Sequence, residues 1–185
     1  MVNKINKVLV VLGGTSGERE ISISTGKACV KALKQLGYKV FIHDPKKKSL
    51  NLIDKKKVDV IFNALHGKDG EDGVAQSYFE YLRIPYTHSG VICSYNAMNK
   101  SISKQIFKNN NIRTPKYFVI KKSYFNEKFL KNRIREKRIK FPVVAKPINE
   151  GSSIGVKICQ NFSILFKSIN LLLKKYDDLI IEKFI

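Results

Sequence analysis

A chain of 185 residues, 43% hydrophobic and 27% charged, has the composition of a soluble globular protein of one domain or two small ones. Cys29, Cys93 and Cys159 are odd in number and lack CxxC spacing, which argues against a disulfide framework or a zinc site. The net charge of +20 is mostly lysine spread along the chain, as at 46–48, 55–57, 121–122 and 174–175. Scattered lysines read as solvated faces, so neither nucleic acid nor membrane is expected as a partner. No stretch has the length of a membrane span and no signal peptide is visible, so a cytoplasmic location is expected.

Residues 8–12 (VLVVL) are a short β-branched run closed by Gly13-Gly14, the pattern of a buried parallel strand. Apolar residues at helical spacing predict a helix over 21–36, with Gly37 in the C′ position. Strands follow at 39–43 and 58–65, then a helix at 74–82 and a short fourth strand at 85–87. This alternation predicts a doubly wound α/β domain with a parallel sheet over residues 1–88. The rhythm then changes. A helix is predicted at 94–109, strands at 117–120 and 141–146, and a charged helix between them at 126–137. A Gly-Ser loop at 151–155 precedes a strand at 156–159, a helix at 162–176 and a last strand at 179–185. Two strands flanking a tight loop predict an antiparallel α+β domain over 89–185. The apolar finish at Phe184-Ile185, with no cap or polar tail, leads to the expectation of a chain cut at a domain boundary.

Four constellations carry chemistry. GGTSGEREIS at 13–22 follows a strand and opens a helix, where free N–H groups favour an anion. It is neither a Walker A loop nor the dinucleotide fingerprint. Glu18 lies where a ligand would sit and suits an ammonium; the competing reading is that Ser16 or Glu18 only caps the helix. NALHGKDGEDG at 63–73 also follows a parallel strand, where open α/β sheets bind ligands, and offers His66 to a carboxylate. A structural histidine is the alternative. KPINEGSSIG at 146–155 has a loop whose backbone can cradle phosphates beside Lys146; a plain glycine hairpin would need neither the lysine nor the paired serines. In EKFI at 182–185, alternation puts Glu182 and Phe184 on one face and Lys183 and Ile185 on the other. Such an edge can grip adenine through backbone groups.

Together with PYTHSGV at 85–91, the Met98-Asn-Lys100 region and VVAKPINEGSSIGV at 143–156, these pieces resemble the D-alanine–D-alanine ligases of the ATP-grasp superfamily across essentially the whole chain. The resemblance implies an N-terminal α/β (pre-ATP-grasp) domain, a central ATP-grasp subdomain, and a C-terminal ATP-grasp domain absent from this sequence. It implies ATP-dependent joining of two D-alanines through an acyl phosphate, for peptidoglycan precursors. Carried over, Glu18 would bind the first D-alanine's ammonium and His66 would contact its carboxylate region. Ser152 would position a closing loop through Glu18. Lys100 and Lys146 would hold ATP phosphates, with Ser153 in the loop above them. Glu182, Lys183 and Ile185 would line the adenine pocket. A homodimer through the N-terminal domain is also implied.

The family's lid tyrosine, its intermediate-stabilising arginine and its Mg²⁺ (or Mn²⁺) ligands have no counterpart in these 185 residues, so no metal site is expected in this chain. Such a chain is expected to be a fragment, a truncated product or one piece of a split protein, without ligation activity alone. The alternatives are another carboxylate–amine ligase, such as a D-alanine–D-lactate ligase, and a non-catalytic nucleotide- or nucleic-acid-binding fragment.

Overall fold

The computed structural model describes residues 5–185. The chain divides into two compact units between Asn96 and Ala97, a point inside one helix. Each unit has its own sheet.

In the first unit, strands β1 (Lys7–Val11), β2 (Lys39–His43) and β3 (Val60–Asn63) form a parallel sheet in the order β2-β1-β3. Helix α1 (Arg19–Gln35) makes the crossover from β1 to β2. It stops where Gly37 takes φ +85°, which lets the Tyr38 N–H turn back to the Leu33 carbonyl. Helix α2 (Val74–Leu82) follows β3, and α3 (Val91–Met98) follows in turn. Alternation in β1 explains why both faces are covered. Val8, Val10 and Leu12 pack with Val30 and Ile23 of α1, while Leu9 and Val11 pack with Ile61, Ala75 and Phe79. Each fully buried side chain of this kind contributes about 1.5–3 kcal/mol. The expected strand at 85–87 is reduced to a single parallel bridge between Ile61 and Tyr86.

The second unit holds helix α4 (Lys100–Asn109), strands β4 (Tyr117–Lys121), β5 (Val143–Pro147), β6 (Lys157–Cys159) and β7 (Asp178–Lys183), and helices α5 (Glu127–Lys137) and α6 (Phe162–Leu172). Its sheet is antiparallel throughout, in the order β4-β7-β5-β6. One face carries Phe118, Ile120, Val143, Ala145, Leu179 and Ile181, packed on Leu130 of α5 and on Leu165, Ile169 and Leu172 of α6. By the register, the other face carries Tyr117, Val119, Val144, Lys146, Ile158, Ile180 and Glu182.

Several boundaries differ from the sequence reading, most by only a residue or two. The single helix expected at 94–109 is two helices. Asn99 adopts an extended conformation and its side chain accepts hydrogen bonds from the Ser101 and Ile102 N–H groups, which starts α4 afresh. Asn126 and Asn161 cap α5 and α6 in the same way. The last helix ends at Leu172 rather than 176. The last strand ends at Lys183 rather than 185, with the Phe184 N–H donating to the Pro142 carbonyl at 3.3 Å just beyond it.

Candidate functional site

In the first unit the strand ends deliver two loops to one place. Gly13 and Gly14 both have positive φ, +85° and +72°, which turns the chain sharply after β1. Buried Ser22 ties this turn to the end of β3: its hydroxyl accepts from the Gly13 N–H (2.8 Å) and donates to the Ala64 carbonyl (2.7 Å). Asp44, just past β2, accepts from the Gly14 N–H (3.1 Å) and from both Nη atoms of Arg19, at 3.0 and 2.6 Å. The Arg19 fork holds the Asp44 carboxyl down at about 2, against the push of burial, with help from the Gly14 and Lys46 N–H groups. Arg19 also donates to the Gly14 carbonyl at 2.7 Å.

Glu18 stands at the N-cap position of α1, yet its side chain makes no capping bond. The Ser16 hydroxyl accepts from the Glu18 N–H at 3.2 Å instead. The Glu18 side chain is buried against the second loop: a Cβ built on Gly67 would lie 2.5 Å from Glu18 Oε2. The neighbour of Gly67 is His66, whose carbonyl accepts from the Ser16 hydroxyl at 2.7 Å. The His66 ring lies between Thr25 (Nε2 to Oγ1, 3.2 Å) and Glu71 (Nδ1 to Oε1, 3.6 Å). Glu18 and His66 are thus brought together, as the loops' positions after parallel strands suggested. A cavity of about 330 Å³ opens beside them, lined by the Gly13–Ser16 turn, Leu50, His66, Lys68, Asp69 and Tyr78; Glu18 is not part of its lining.

In the second unit the sheet face turned away from α5 and α6 gathers the charged residues. Glu182 is 8% exposed and receives Lys146 on Oε1 and Lys104 on Oε2, the latter at 2.9 Å. Burial would raise the Glu182 carboxyl, but these two ammonium groups outweigh it and hold the pKa below the ordinary value. Lys104 also donates to the Pro115 carbonyl at 3.3 Å and lies 5.0 Å above the Tyr117 ring. Lys100, one helical turn before Lys104, donates to the carbonyls of Ile148 and Glu150. Burial, then the neighbouring Lys146 charge, lowers its pKa.

The loop between β5 and β6 places Ser152 and Ser153 at φ +45° and +61°, a region that side-chain-bearing residues seldom occupy. Lys183 and Ile185 are exposed; Lys183 follows Glu182 on the opposite side of the strand. Three residues of these networks escape the sequence reading. Arg19 and Asp44 are far apart in sequence, and only the fold joins them. Lys104 carries one signal, its i+4 spacing from Lys100.

Comparison with known proteins gives both units one parentage. The protein-family model for the D-ala D-ala ligase N-terminus matches residues 42–89, and the model for the D-ala D-ala ligase C-terminus matches residues 106–185. The D-alanine--D-alanine ligase of Pelagibacter ubique is 52% identical over 179 residues, covering 97% of this chain and 58% of the relative. The chain belongs to the D-alanine–D-alanine ligase family. The Aquifex aeolicus member is 40% identical, covering 97% of this chain and 59% of its own length. A D-alanine--D-alanine ligase structure from Bacillus anthracis superposes with a TM-score of 0.85 at 34% identity, covering 97% of this chain and 58% of that one. A structure of the Bacillus anthracis ligase complexed with ATP gives 0.84 at 31% identity, covering 97% and 59%. The chain thus spans somewhat more than half the length of the D-alanine–D-alanine ligases it matches. Among the described residues, no helix is long and apolar enough to cross a membrane.

Proposed function

We propose that this chain supplies the first-substrate site and part of the ATP site of a ligase that joins two D-alanines for peptidoglycan precursors. The observation that carries the reading is the cluster of Lys100 and Lys104 of α4 with Lys146 and Glu182 of the sheet, in a family with an ATP-bound member. Lys100 and Lys146 receive the triphosphate, whose charge suits two neighbouring ammonium groups. The backbone of the Gly151–Gly155 loop, with Ser152 and Ser153, covers the phosphates. Glu182, Lys183 and Ile185 flank the adenine.

In the other unit, the Glu18 carboxylate holds the ammonium of the first D-alanine and His66 lies beside its carboxylate. The carboxylate oxygen of this substrate attacks the γ-phosphorus of ATP and ADP leaves. The amine of the second D-alanine attacks the acyl phosphate carbon and phosphate leaves as the amide forms. Positioning and charge neutralisation supply most of the acceleration of such a transfer. Ser152 helps to position the closing loop. Mg²⁺ or Mn²⁺, a homodimer and a cytoplasmic location accompany the reading. Among the described residues no group of three or more His, Cys, Asp or Glu is gathered to hold a metal ion.

Thermal melting with ATP, with D-alanine and with both tests the reading. ATP raises the melting temperature, Lys146→Met weakens that effect by about tenfold in concentration, and Glu18→Gln does the same for D-alanine. Melting curves indifferent to millimolar ATP would overturn it.

A further inference from the structure

Glu182 holds two lysines, and the two are not equivalent. Lys104 is 10% exposed at its side chain and is held on three sides, by Glu182, the Pro115 carbonyl and the Tyr117 ring. Lys146 is 22% exposed, and among the described residues Glu182 is its only ion-pair partner. Beside it stands Lys100, whose own ammonium is disfavoured by burial and then by the Lys146 charge. A polyanion arriving at this face would therefore find one lysine fixed and one transferable.

The cost of transfer is set by what remains behind. A buried carboxylate stripped of every cation is strongly unfavourable, whereas one that keeps a partner is not. We propose that Lys104 is a positioning residue that keeps Glu182 neutralised, so that Lys146 can leave it for the phosphates of a bound nucleotide. Glu182 is then a resting place for Lys146 in the empty site, and Lys104 is what makes departure inexpensive. The inference rests on the nucleotide reading above and deepens it. It assigns no contact between Lys104 and the ligand.

The consequence is a selective effect. Adenosine lacks the phosphates that draw Lys146 away, so its binding leaves the Lys146–Glu182 pair intact. ATP requires the pair to open. Lys104→Met keeps most of the aliphatic stem and removes the charge. In equilibrium dialysis, this variant binds ATP about tenfold more weakly and adenosine within about twofold of the parent chain. Lys104→Arg restores the ATP affinity. In a Glu182→Gln background, no carboxylate is left to strand, so adding Lys104→Met leaves the ratio of ATP to adenosine affinity unchanged. Ammonium NMR of the unmodified chain gives a reading independent of how well any variant folds. ATP, and not adenosine, shifts the Lys146 resonance, while the Lys104 resonance stays in place.

Equal losses for ATP and adenosine in Lys104→Met would overturn the proposal, as would a selective loss that persists in the Glu182→Gln background. A Lys146 resonance unmoved by bound ATP would also overturn it. Failure of the unmodified chain to bind ATP is a distinct result, which removes the nucleotide reading and the inference with it.

Discussion

Replacing Asp44 by Asn isolates the charge that anchors the glycine turn below Glu18. The amide retains an oxygen for the Gly14 and Lys46 N–H groups, which Asp44 Oδ1 accepts at 3.1 and 3.0 Å. What it loses is the ionic bond to Arg19, closest at 2.6 Å. The Asp44 carboxyl falls from its usual 3.8 to about 2, chiefly through the Arg19 fork. A gap of that size corresponds to roughly 2 kcal/mol of stability when the group is ionised in both states. The carboxylate is 10% exposed, so most of this survives solvent screening, and about 2 kcal/mol is expected at neutral pH. The sign follows from the depressed value. The contribution is fully present above the unfolded carboxyl's 3.8 and disappears as pH falls through about 2. Hydrogen exchange at the β1 and β2 amides reads this unit by itself. Asp44→Asn should lower their protection by about 2 kcal/mol at neutral pH, and the two proteins should converge near pH 2. A difference below about 0.5 kcal/mol at neutral pH, or one that persists in acid, would refute the argument.

Three other outcomes are expected. Gly67→Ala forces a Cβ to 2.5 Å from Glu18 Oε2 at a residue with φ +69°, so stability falls by about 1–3 kcal/mol and D-alanine no longer raises the melting temperature; unchanged D-alanine binding would disprove the placement of Glu18. Gly26→Ala raises helix propensity by about 1 kcal/mol, yet its Cβ would meet Leu12 Cβ and Cδ2 at 2.6 Å, so the urea midpoint should drop rather than rise. Burial lowers the His43 pKa from the usual 6.5, and its Nε2 has no partner among the described residues. The unfolded chain takes up a proton there first, so stability falls as pH drops below 6.5, and His43→Leu should flatten that slope in urea titrations.

The sequence is informative wherever one residue type has one physical use. Val8–Leu12 must be buried on both sides, and the glycines after β1 and β3 must turn, so the parallel sheet and its two ligand-facing loops are legible. The same holds for the antiparallel sheet around the serine loop. Legibility fails where a polar residue has two uses. Asn99 could continue a helix or cap one; its side chain chooses the cap, and the expected helix divides. Phe184 continues the apolar alternation of β7, but the strand ends at Lys183. The ion pairs were not legible at all. Arg19 with Asp44, and Lys104 with Glu182, join residues whose partnership depends on tertiary approach rather than spacing. Lysine abundance hid Lys104 further, because one buried ammonium among so many solvated ones leaves no compositional trace.

Strand β7 lies between β4 and β5 although it follows both in the chain. During synthesis, β4 and the β5–β6 hairpin therefore emerge as two separate ribbons, each with an unsatisfied edge, and no pairing joins them until residues 178–183 have left the ribosome. The hydrophobic layer under α5 and α6 is equally incomplete until Leu179 and Ile181 arrive. Late closure over such long separations favours slow maturation and leaves growing chains open to capture by chaperones or to mispairing. For this unit, the order of translation is itself a determinant of how safely the protein is produced.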